Sequence, residues 1–380
     1  MAPLETKKIT EPALLTPHTE YMRVALSLAQ RGLGNTWPNP AVGCVIVKND
    51  LVVGRGWTQP GGRPHAEREA LDRAGESARG ADAYVTLEPC CHQGQTPPCA
   101  DALINAGVKQ VFVAVMDPDY RVSGAGISKL EAAGIDVTAG LLREEATKAN
   151  SGFLNRVKTG RPSFTLKTAT TADGKIATKS LQSQWITGDE ARRYGHLLRA
   201  TNDAVLVGSG TVLEDDPELT CRLPGLSSDR RPRIVIDGRL RVPLTSKLVS
   251  SADQTPLWIV TLTTHSADQT SPYEAHGVTV IRVKADEAGH PRIPEWSLEL
   301  GRRGITRILV EGGSTLAGGL LAANLIDRIT WFRSPKVMGD DGIAAISALG
   351  AHRIEDLLQF QTILSKPIGQ DRLDILERTR

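Results

Sequence analysis

The sequence predicts an α/β protein built from two domains, and three observations carry that expectation. The chain has 380 residues, 40% of them hydrophobic, which is enough to bury more than one core. Strand-like runs alternate with helix-like runs in both halves, as α/β folds require. Near the middle, Thr159-Gly160-Arg161-Pro162 interrupts regular structure with Gly and Pro and reads as a linker, so the domains are expected at 1–158 and 159–380.

In the first half, residues 19–31 place Tyr21, Ala25, Leu28 and Ala29 on one helical face. The runs AVGCVIV and LVVGRGW flank Lys48-Asn49-Asp50, a turn composition that predicts an antiparallel hairpin. After His65 the segment AEREALDRAG reads as a helix ending at Gly75. From Asp82, AYVTLEP reads as a buried strand running into Pro89-Cys90. The helix ADALINAG, strand VFVAVMD, helix ISKLEAAG and strand IDVTAG continue the alternation to about Gly140, and 141–156 reads as one connecting helix.

The second half restarts with the strand SFTLKTATT, then the helix ARRYGHLLRA and the strands DAVLVGSG, RIVIDG, PLWIVTL and TRILVEGG before STLAGGLLAANLI. A mainly parallel sheet is expected. No fixed-period repeat is visible, and the stretches 223–233 and 286–294 read as surface connections.

Charge excludes one class of partner. The 45 Lys+Arg against 43 Asp+Glu leave a net charge of +2, far from the basic excess of a protein held by nucleic-acid backbone. The first 21 residues lack the apolar core of a signal peptide, and no run of about 18 uncharged apolar residues occurs elsewhere, so a cytoplasmic protein with no membrane partner is expected. Five cysteines are too few and too clustered to staple this chain, and three of them (Cys90, Cys91, Cys99) fall within ten positions, which points to a metal.

His65, Cys90 and Cys99 stand at predicted helix starts or just after a strand. One imidazole and two thiolates suit zinc, and three protein ligands leave a fourth position for a water whose pKa falls to about 7. A carboxylate outside the ligand set must then move protons between the water, a ring nitrogen and a leaving amine, and Glu67, two residues after His65, is placed for it. His-x-Glu followed by Pro-Cys-x-x-Cys marks zinc nucleobase deaminases. Here, however, eight residues (91–98) separate the cysteines, and Cys91 and His92 are themselves metal-ligand types. Four protein ligands would close the site and make the zinc structural, so that alternative stands beside the catalytic one. A nucleic-acid base deaminase shares the same elements, but the near-neutral charge and the lack of a basic or aromatic track argue against it.

The segment Pro89-Cys90-Cys91-His92-Gln93-Gly94-Gln95-Thr96-Pro97-Pro98-Cys99 resembles the Pro-Cys-x-His-x-Gly-x-Thr-Pro-Pro-Cys form found in bacterial bifunctional riboflavin-biosynthesis proteins of the RibD type. Pro38-Asn39-Pro40, Val42-Gly43-Cys44, Thr86-Leu87-Glu88 and Asp117-Pro118 are similar to the same family. The resemblance implies a cytidine-deaminase-like three-layer domain in which Cys90 and Cys99 ligate zinc, Cys91 does not, and Asn39 and Asp117 contact substrate. Gln95 stands where members often carry Lys or Arg, Thr58 where many carry His, and Asp119-Tyr120 where Asn-Pro is commoner.

In the second half, several glycines at the turn from ITRILVEGG into STLAGGLLAANLI would let backbone N–H groups approach a phosphate, although the turn lacks a G-x-G-x-x-G fingerprint. The resemblance extends here through Leu166-Lys167, Asp173-Gly174, 183–187, 210–217, 219–222 and 310–313. It implies a dihydrofolate-reductase-like domain using NADPH. By position, Ala169, Trp185, Thr211, Asp215 and a loop of Gly313, Ser314, Thr315, Leu316, Ala317, Gly318 and Gly319 would face NADPH. Ser183, Arg199, Leu219, Arg222 and Glu311 would face the substrate, whose phosphate suits guanidinium and hydroxyl donors. The implied reactions are hydrolytic deamination of a diaminopyrimidinone ribosyl phosphate and hydride transfer that opens its ribosyl group to ribityl. The family also implies a homo-oligomer, a dimer or tetramer.

Overall fold

The computed structural model describes residues 17–93, 97–119, 122–226 and 231–379. The polar leader, Gln95, Thr96 and Tyr120 lie outside the described residues. The chain divides into two compact units between Gly160 and Arg161.

The first unit runs α1 (Pro17–Gln30), β1 (Gly43–Lys48), β2 (Leu51–Trp57), α2 (Ala66–Ala74), β3 (Asp82–Val85), α3 (Cys99–Ala106), β4 (Gln110–Val113), α4 (Ala125–Ala132), β5 (Asp136–Ala139), α5 (Arg143–Ala149) and α6 (Ser151–Thr159). Its described strands form one sheet in the order β2-β1-β3-β4-β5. The β1–β2 hairpin is antiparallel, β1 is antiparallel to β3, and β3, β4 and β5 are parallel.

Strand alternation sends Cys44 and Ile46 to one face, where they pack with residues of α2, α3, α4 and α6. Val45, Val47, Tyr84 and Phe112 point to the other, under α1 and α5. A helix–sheet–helix sandwich results. Gly43 is required at the α1 contact, because a Cβ there would lie 1.9 Å from the backbone oxygen of Ala25.

Two expectations are corrected here. The single connecting helix over 141–156 is broken at Asn150 into α5 and α6. The strands expected over 83–89 and 111–117 stop pairing at Val85 and Val113, which frees Glu88, Cys90 and Asp117 from the sheet.

The second unit runs β6 (Ser163–Thr170), β7 (Lys175–Thr178), α7 (Asp189–Thr201), β8 (Ala204–Gly208), α8 (Ser209–Asp215), β9 (Arg233–Ile236), α9 (Lys247–Ser250), β10 (Leu257–Leu262), α10 (Ala267–Ala275) and β11 (Thr279–Val283). It continues with α11 (Ile293–Arg302), β12 (Arg307–Val310), α12 (Ser314–Ala322), β13 (Ile326–Arg333), β14 (Gly342–Ala344), β15 (Phe360–Ile368) and β16 (Asp371–Arg378). The main sheet has the order β11-β10-β9-β8-β12-β6-β13-β16-β15, while β7 and β14 form a separate pair.

From β11 to β13 every pairing is parallel, and the last two strands are added antiparallel. Those two were not readable from the sequence. β15 is paired on one side only and is largely exposed, so it lacks the apolar run of its parallel neighbours.

The expected surface connection at 223–233 ends in buried residues. Arg231 and Arg233 are buried, and the Arg233 guanidinium donates to Ser251 Oγ at 2.8 Å and to the carbonyls of Leu248 and Thr255.

Candidate active sites

The ends of α2 and α3 and the segment leaving β3 converge. His65 is the N-cap of α2 and keeps extended backbone, Cys99 is the first residue of α3, and Cys90 follows β3. Their ligand atoms all lie within 4.8 Å of one another. His65 Nδ1 stands 3.3 Å from Cys99 Sγ and 3.7 Å from Cys90 Sγ, and the Cys99 amide donates to Cys90 Sγ at 3.3 Å. Tetrahedral zinc with ordinary Zn–N and Zn–S bonds holds such atoms about 3.3–3.8 Å apart, so the trio fits that ion. Among the described residues neither Cys91 nor His92 joins the cluster, which leaves a three-ligand set.

The electrostatics agree with a thiolate site. The Cys90 thiol is drawn down to about 4, first by its hydrogen bond with Cys99 and, against the cost of burial, by His65. Cys99 is pushed up by the same hydrogen bond and by burial, as expected when one thiolate is shared between the pair. Glu67 lies in the first turn of α2 and is 3% exposed. Burial raises its carboxyl to about 7, His65 opposing the rise and Cys90 adding to it. A carboxyl poised near neutrality can both take and give a proton.

Asn39 is half-buried, and its Nδ2 donates to the Gly62 carbonyl at 3.0 Å. That bond ties the Pro38–Pro40 turn to the segment leading into His65. Gly62 has φ +82°, and a Cβ on it would lie 2.2 Å from Asn39 Nδ2, so glycine is needed for the turn and for the approach. Asp117 is buried and accepts from the Asp119 amide at 2.9 Å. Thr58 is buried as well, its hydroxyl accepting from the Val42 amide at 3.0 Å, so it continues the β1–β2 pairing. One buried carboxylate at this site received no role from the sequence: Glu88, which accepts from four backbone amides. Its signal was present in Thr86-Leu87-Glu88.

In the second unit the carboxyl ends of β8, β12 and β6, parallel neighbours, gather the other candidates, where open α/β sheets place their ligands. Glu311 follows β12 and is locked to Arg199 of α7 by Nε–Oε1 at 2.6 Å and Nη2–Oε2 at 2.8 Å. The remaining Arg199 nitrogen donates to the Thr220 carbonyl at 3.0 Å. The guanidinium expected to bind substrate phosphate is thus already committed to a carboxylate.

Burial would raise Glu311, but Arg199, by charge and hydrogen bond, and then Lys167 hold it at about 2. Lys167 on β6 is pushed down by burial against the opposing pull of Glu311. This half-buried lysine stands beside Leu166 in the sequence, where nothing assigned it a role. Arg222 is exposed, paired with Glu218 at 3.0 Å, and its amide reaches His196 Nδ1 at 3.4 Å. Leu219 has φ +57°, and its side chain packs into the core with Val205 and Val235, so only its backbone is available to a substrate.

The residues expected to face NADPH divide. Thr211 and Asp215 lie on α8, just after β8, and burial raises the Asp215 carboxyl, with Glu214 adding to the rise. Gly208, Gly210 and Gly313 present bare backbone to open space at the ends of β8 and β12, a surface a dinucleotide phosphate can approach. The expected loop 313–319 is helical from Ser314 onward, with Gly313 as the N-cap of α12. Ala317 and Gly318 are buried, and a Cβ on Gly318 would meet Ser347 Oγ at 2.0 Å, so these small residues serve packing while Gly313, Ser314 and the exposed Thr315 remain on the approachable end. Ala169 packs against Phe332 and Leu373. Trp185 is 60% exposed, with the Arg192 guanidinium 4.5 Å from its ring centroid and Lys336 Nζ donating to its carbonyl at 2.8 Å. Ser183 is half-buried on the same segment.

Comparison with known proteins matches each unit to a family. Residues 15–115 match the cytidine and deoxycytidylate deaminase zinc-binding region, and residues 162–372 match the RibD C-terminal domain. The riboflavin biosynthesis protein RibD of Escherichia coli K12 is 43% identical over 362 residues, covering 92% of this chain and 96% of that one. RibD of Aquifex aeolicus is 40% identical, covering 94% and 98%. Among solved structures, Acinetobacter baumannii RibD superposes with TM-score 0.86 at 36% identity, covering 96% and 99%. A diaminohydroxyphosphoribosylaminopyrimidine deaminase/5-amino-6-(5-phosphoribosylamino)uracil reductase from Thermotoga maritima does so with TM-score 0.84 at 33% identity, covering 96% and 99%.

Proposed function

The chain belongs to the RibD family of bifunctional riboflavin-biosynthesis enzymes, and from that premise we propose which residues perform each of its two reactions. Residues 1–158 carry the zinc-dependent deaminase and 159–380 the NADPH-dependent reductase. The first acts on 2,5-diamino-6-ribosylamino-4(3H)-pyrimidinone 5′-phosphate. The second reduces the ribosyl group of 5-amino-6-(5-phosphoribosylamino)uracil to ribityl. The observation that carries this reading is the convergence of His65, Cys90 and Cys99 within 4.8 Å beside the buried Glu67.

His65, Cys90 and Cys99 would hold the zinc, which supplies an acidified water and a Lewis acid when bound. Glu67 is placed to take one proton from the attacking water and pass it to the ring nitrogen, and then to carry the second proton, from the newly added hydroxyl, to the departing amine. Asn39 and Asp117 orient the pyrimidinone. In the reductase NADPH supplies the hydride, and the protein supplies orientation and electrostatics. Gly313, Ser314, Thr315, Thr211 and Asp215 line the cofactor side, with Trp185 and Ala169. Glu311, fixed by Arg199, faces the substrate with Ser183, Arg222 and the Leu219 backbone, while the Arg199 charge offsets the Glu311 carboxylate near the ribosyl phosphate.

The test is one tube containing the diaminopyrimidinone phosphate, with and without NADPH, in which ammonia release and NADPH oxidation are both followed. A zinc chelator should abolish ammonia release yet leave intact the NADPH-dependent reduction of deaminated product supplied in a second tube. Loss of both together would count against two separate sites.

A homo-oligomer, dimer or tetramer, is also proposed. Ile354 (85% exposed), Leu357 (55%) and Ile363 (44%) leave apolar surface on and just before the outermost strand β15, the kind of patch that marks an interface. Light scattering should give a multiple of 40.9 kDa for the wild type, falling toward a single chain when Ile354 and Ile363 are both changed to Asp. No helix among the described residues is long and apolar enough to cross a membrane. A cytoplasmic location is proposed because ligation through Cys90 and Cys99 needs a compartment that keeps thiols reduced.

A further inference from the structure

Cys90 sits at the end of a segment that has left its sheet, and something other than strand pairing must hold that segment in place. β3 stops at Val85, and Glu88, two residues before Cys90, makes the connection. Its amide donates to the Val115 carbonyl at 2.9 Å. Its carboxylate, on a residue 4% exposed, accepts from the amides of Asp117 (3.2 Å) and Gly124 (3.1 Å) on Oε2, and of Gly126 (3.0 Å) and Ile127 (3.2 Å) on Oε1. One side chain therefore fastens both the Asp117 backbone and the first turn of α4 to the zinc-ligand segment. The approach is close: a Cβ on Gly126 would lie 2.1 Å from the Pro89 carbonyl oxygen.

Four amide donors converging on a buried carboxylate make charge-assisted hydrogen bonds, stronger than neutral ones and costly to leave unmade. They also fix direction, since each carboxylate oxygen already accepts two amides. We propose that Glu88 is a positioning residue of the deaminase, which sets the distance between Asp117 and the metal ligand Cys90 and so determines how tightly the pyrimidinone is held. Glu88 itself touches neither metal nor substrate. The proposal rests on reading His65, Cys90 and Cys99 as the deaminase centre.

Glu88→Gln is the direct probe, because an amide in either orientation turns an NH₂ against two backbone donors. With rates normalised to bound zinc, the expected result is a KM for the diaminopyrimidinone phosphate raised about tenfold or more, the loss of hydrogen bonds to a charged acceptor. Turnover should stay within about threefold and zinc near one per chain. In an Asp117→Ala background the same substitution should add little further to KM, since Glu88 acts through Asp117.

An unchanged KM would overturn the proposal, as would additive effects of the two substitutions. Should Glu88→Gln not hold zinc, Glu88→Asp, one methylene too short to reach all four amides, is read by the same criteria, and loss of zinc in both makes Glu88 purely structural and the proposal wrong. Wild-type chain that binds zinc but releases no ammonia would instead sink the reading on which the proposal rests.

Discussion

Replacing Glu67 with Gln should lower deamination turnover by about 10³-fold while zinc content and NADPH-dependent reduction stay at wild-type levels. The size follows from what the side chain is placed to do. Deamination needs a proton removed from water and protons delivered to the ring nitrogen and the leaving amine, and a positioned acid–base group contributes about 10²–10⁴-fold to such a step. Glu67 is the buried carboxyl in the first turn of the helix that His65 caps, and burial has raised it to about 7, where both protonation states are accessible at neutral pH. Gln keeps the shape and a hydrogen-bond acceptor but cannot exchange a proton. Zinc should remain because, among the described residues, the cluster proposed to hold it is His65, Cys90 and Cys99, without Glu67. Ammonia release, NADPH oxidation with the deaminated product, and zinc per chain together check the prediction. Residual turnover within about tenfold of wild type would assign the proton shuttle elsewhere, and loss of zinc would make Glu67 structural.

How far the sequence revealed these sites depended on whether the information was local. His65, Cys90 and Cys99 were legible as a cluster because metal-ligand chemistry uses few residue types, His65 and Cys99 opening helices and Cys90 lying beyond the end of β3, with Glu67 marked by its spacing from His65. The eight residues between the cysteines then narrowed the family. The Arg199–Glu311 pair was not legible as a pair, since its members are 112 residues apart and either alone reads as a surface or substrate-facing charge. Glu88 was hidden for a related reason: its partners are backbone amides 29 to 39 residues later, and backbone donors leave no mark on residue type. Read from its residues, STLAGGLLAANLI is a helix after a glycine-rich turn and folds so as α12, whereas the loop over 313–319 came only from the family resemblance; Gly318 is spent on close packing against Ser347. β15 was missed because a strand paired on one side and exposed on most residues shows no continuous apolar run.

The buried Arg199–Glu311 pair carries the largest expected effect on stability. Both side chains are mostly buried, 18% and 10% exposed, and joined by two hydrogen bonds. Removing one partner of such a pair leaves an uncompensated buried charge and costs about 3–5 kcal/mol, whereas an exposed pair such as Arg222–Glu218 is worth about 1 kcal/mol or less. Glu311→Gln should therefore lower the transition of the reductase unit by roughly 6–12 °C, taking about 3 kcal/mol in a domain of this size. NADPH identifies that transition, since a ligand bound to the native state raises it. Reduction should be lost in the same variant, because Glu311 is proposed to face the substrate.

The pH dependence has a definite sign. Despite the opposing effect of burial, Arg199 and Lys167 hold the folded-state Glu311 carboxyl at about 2, below its ordinary value of 4.5. A depressed carboxyl contributes stability that is fully present above the unfolded-state pKa and is lost as pH falls toward the folded-state one. The gap between wild type and Glu311→Gln should accordingly be constant at neutral pH and shrink as pH falls from about 4.5 to about 2. A gap that persisted unchanged through that window would mean that Glu311 stabilises the fold by shape and not by its charge.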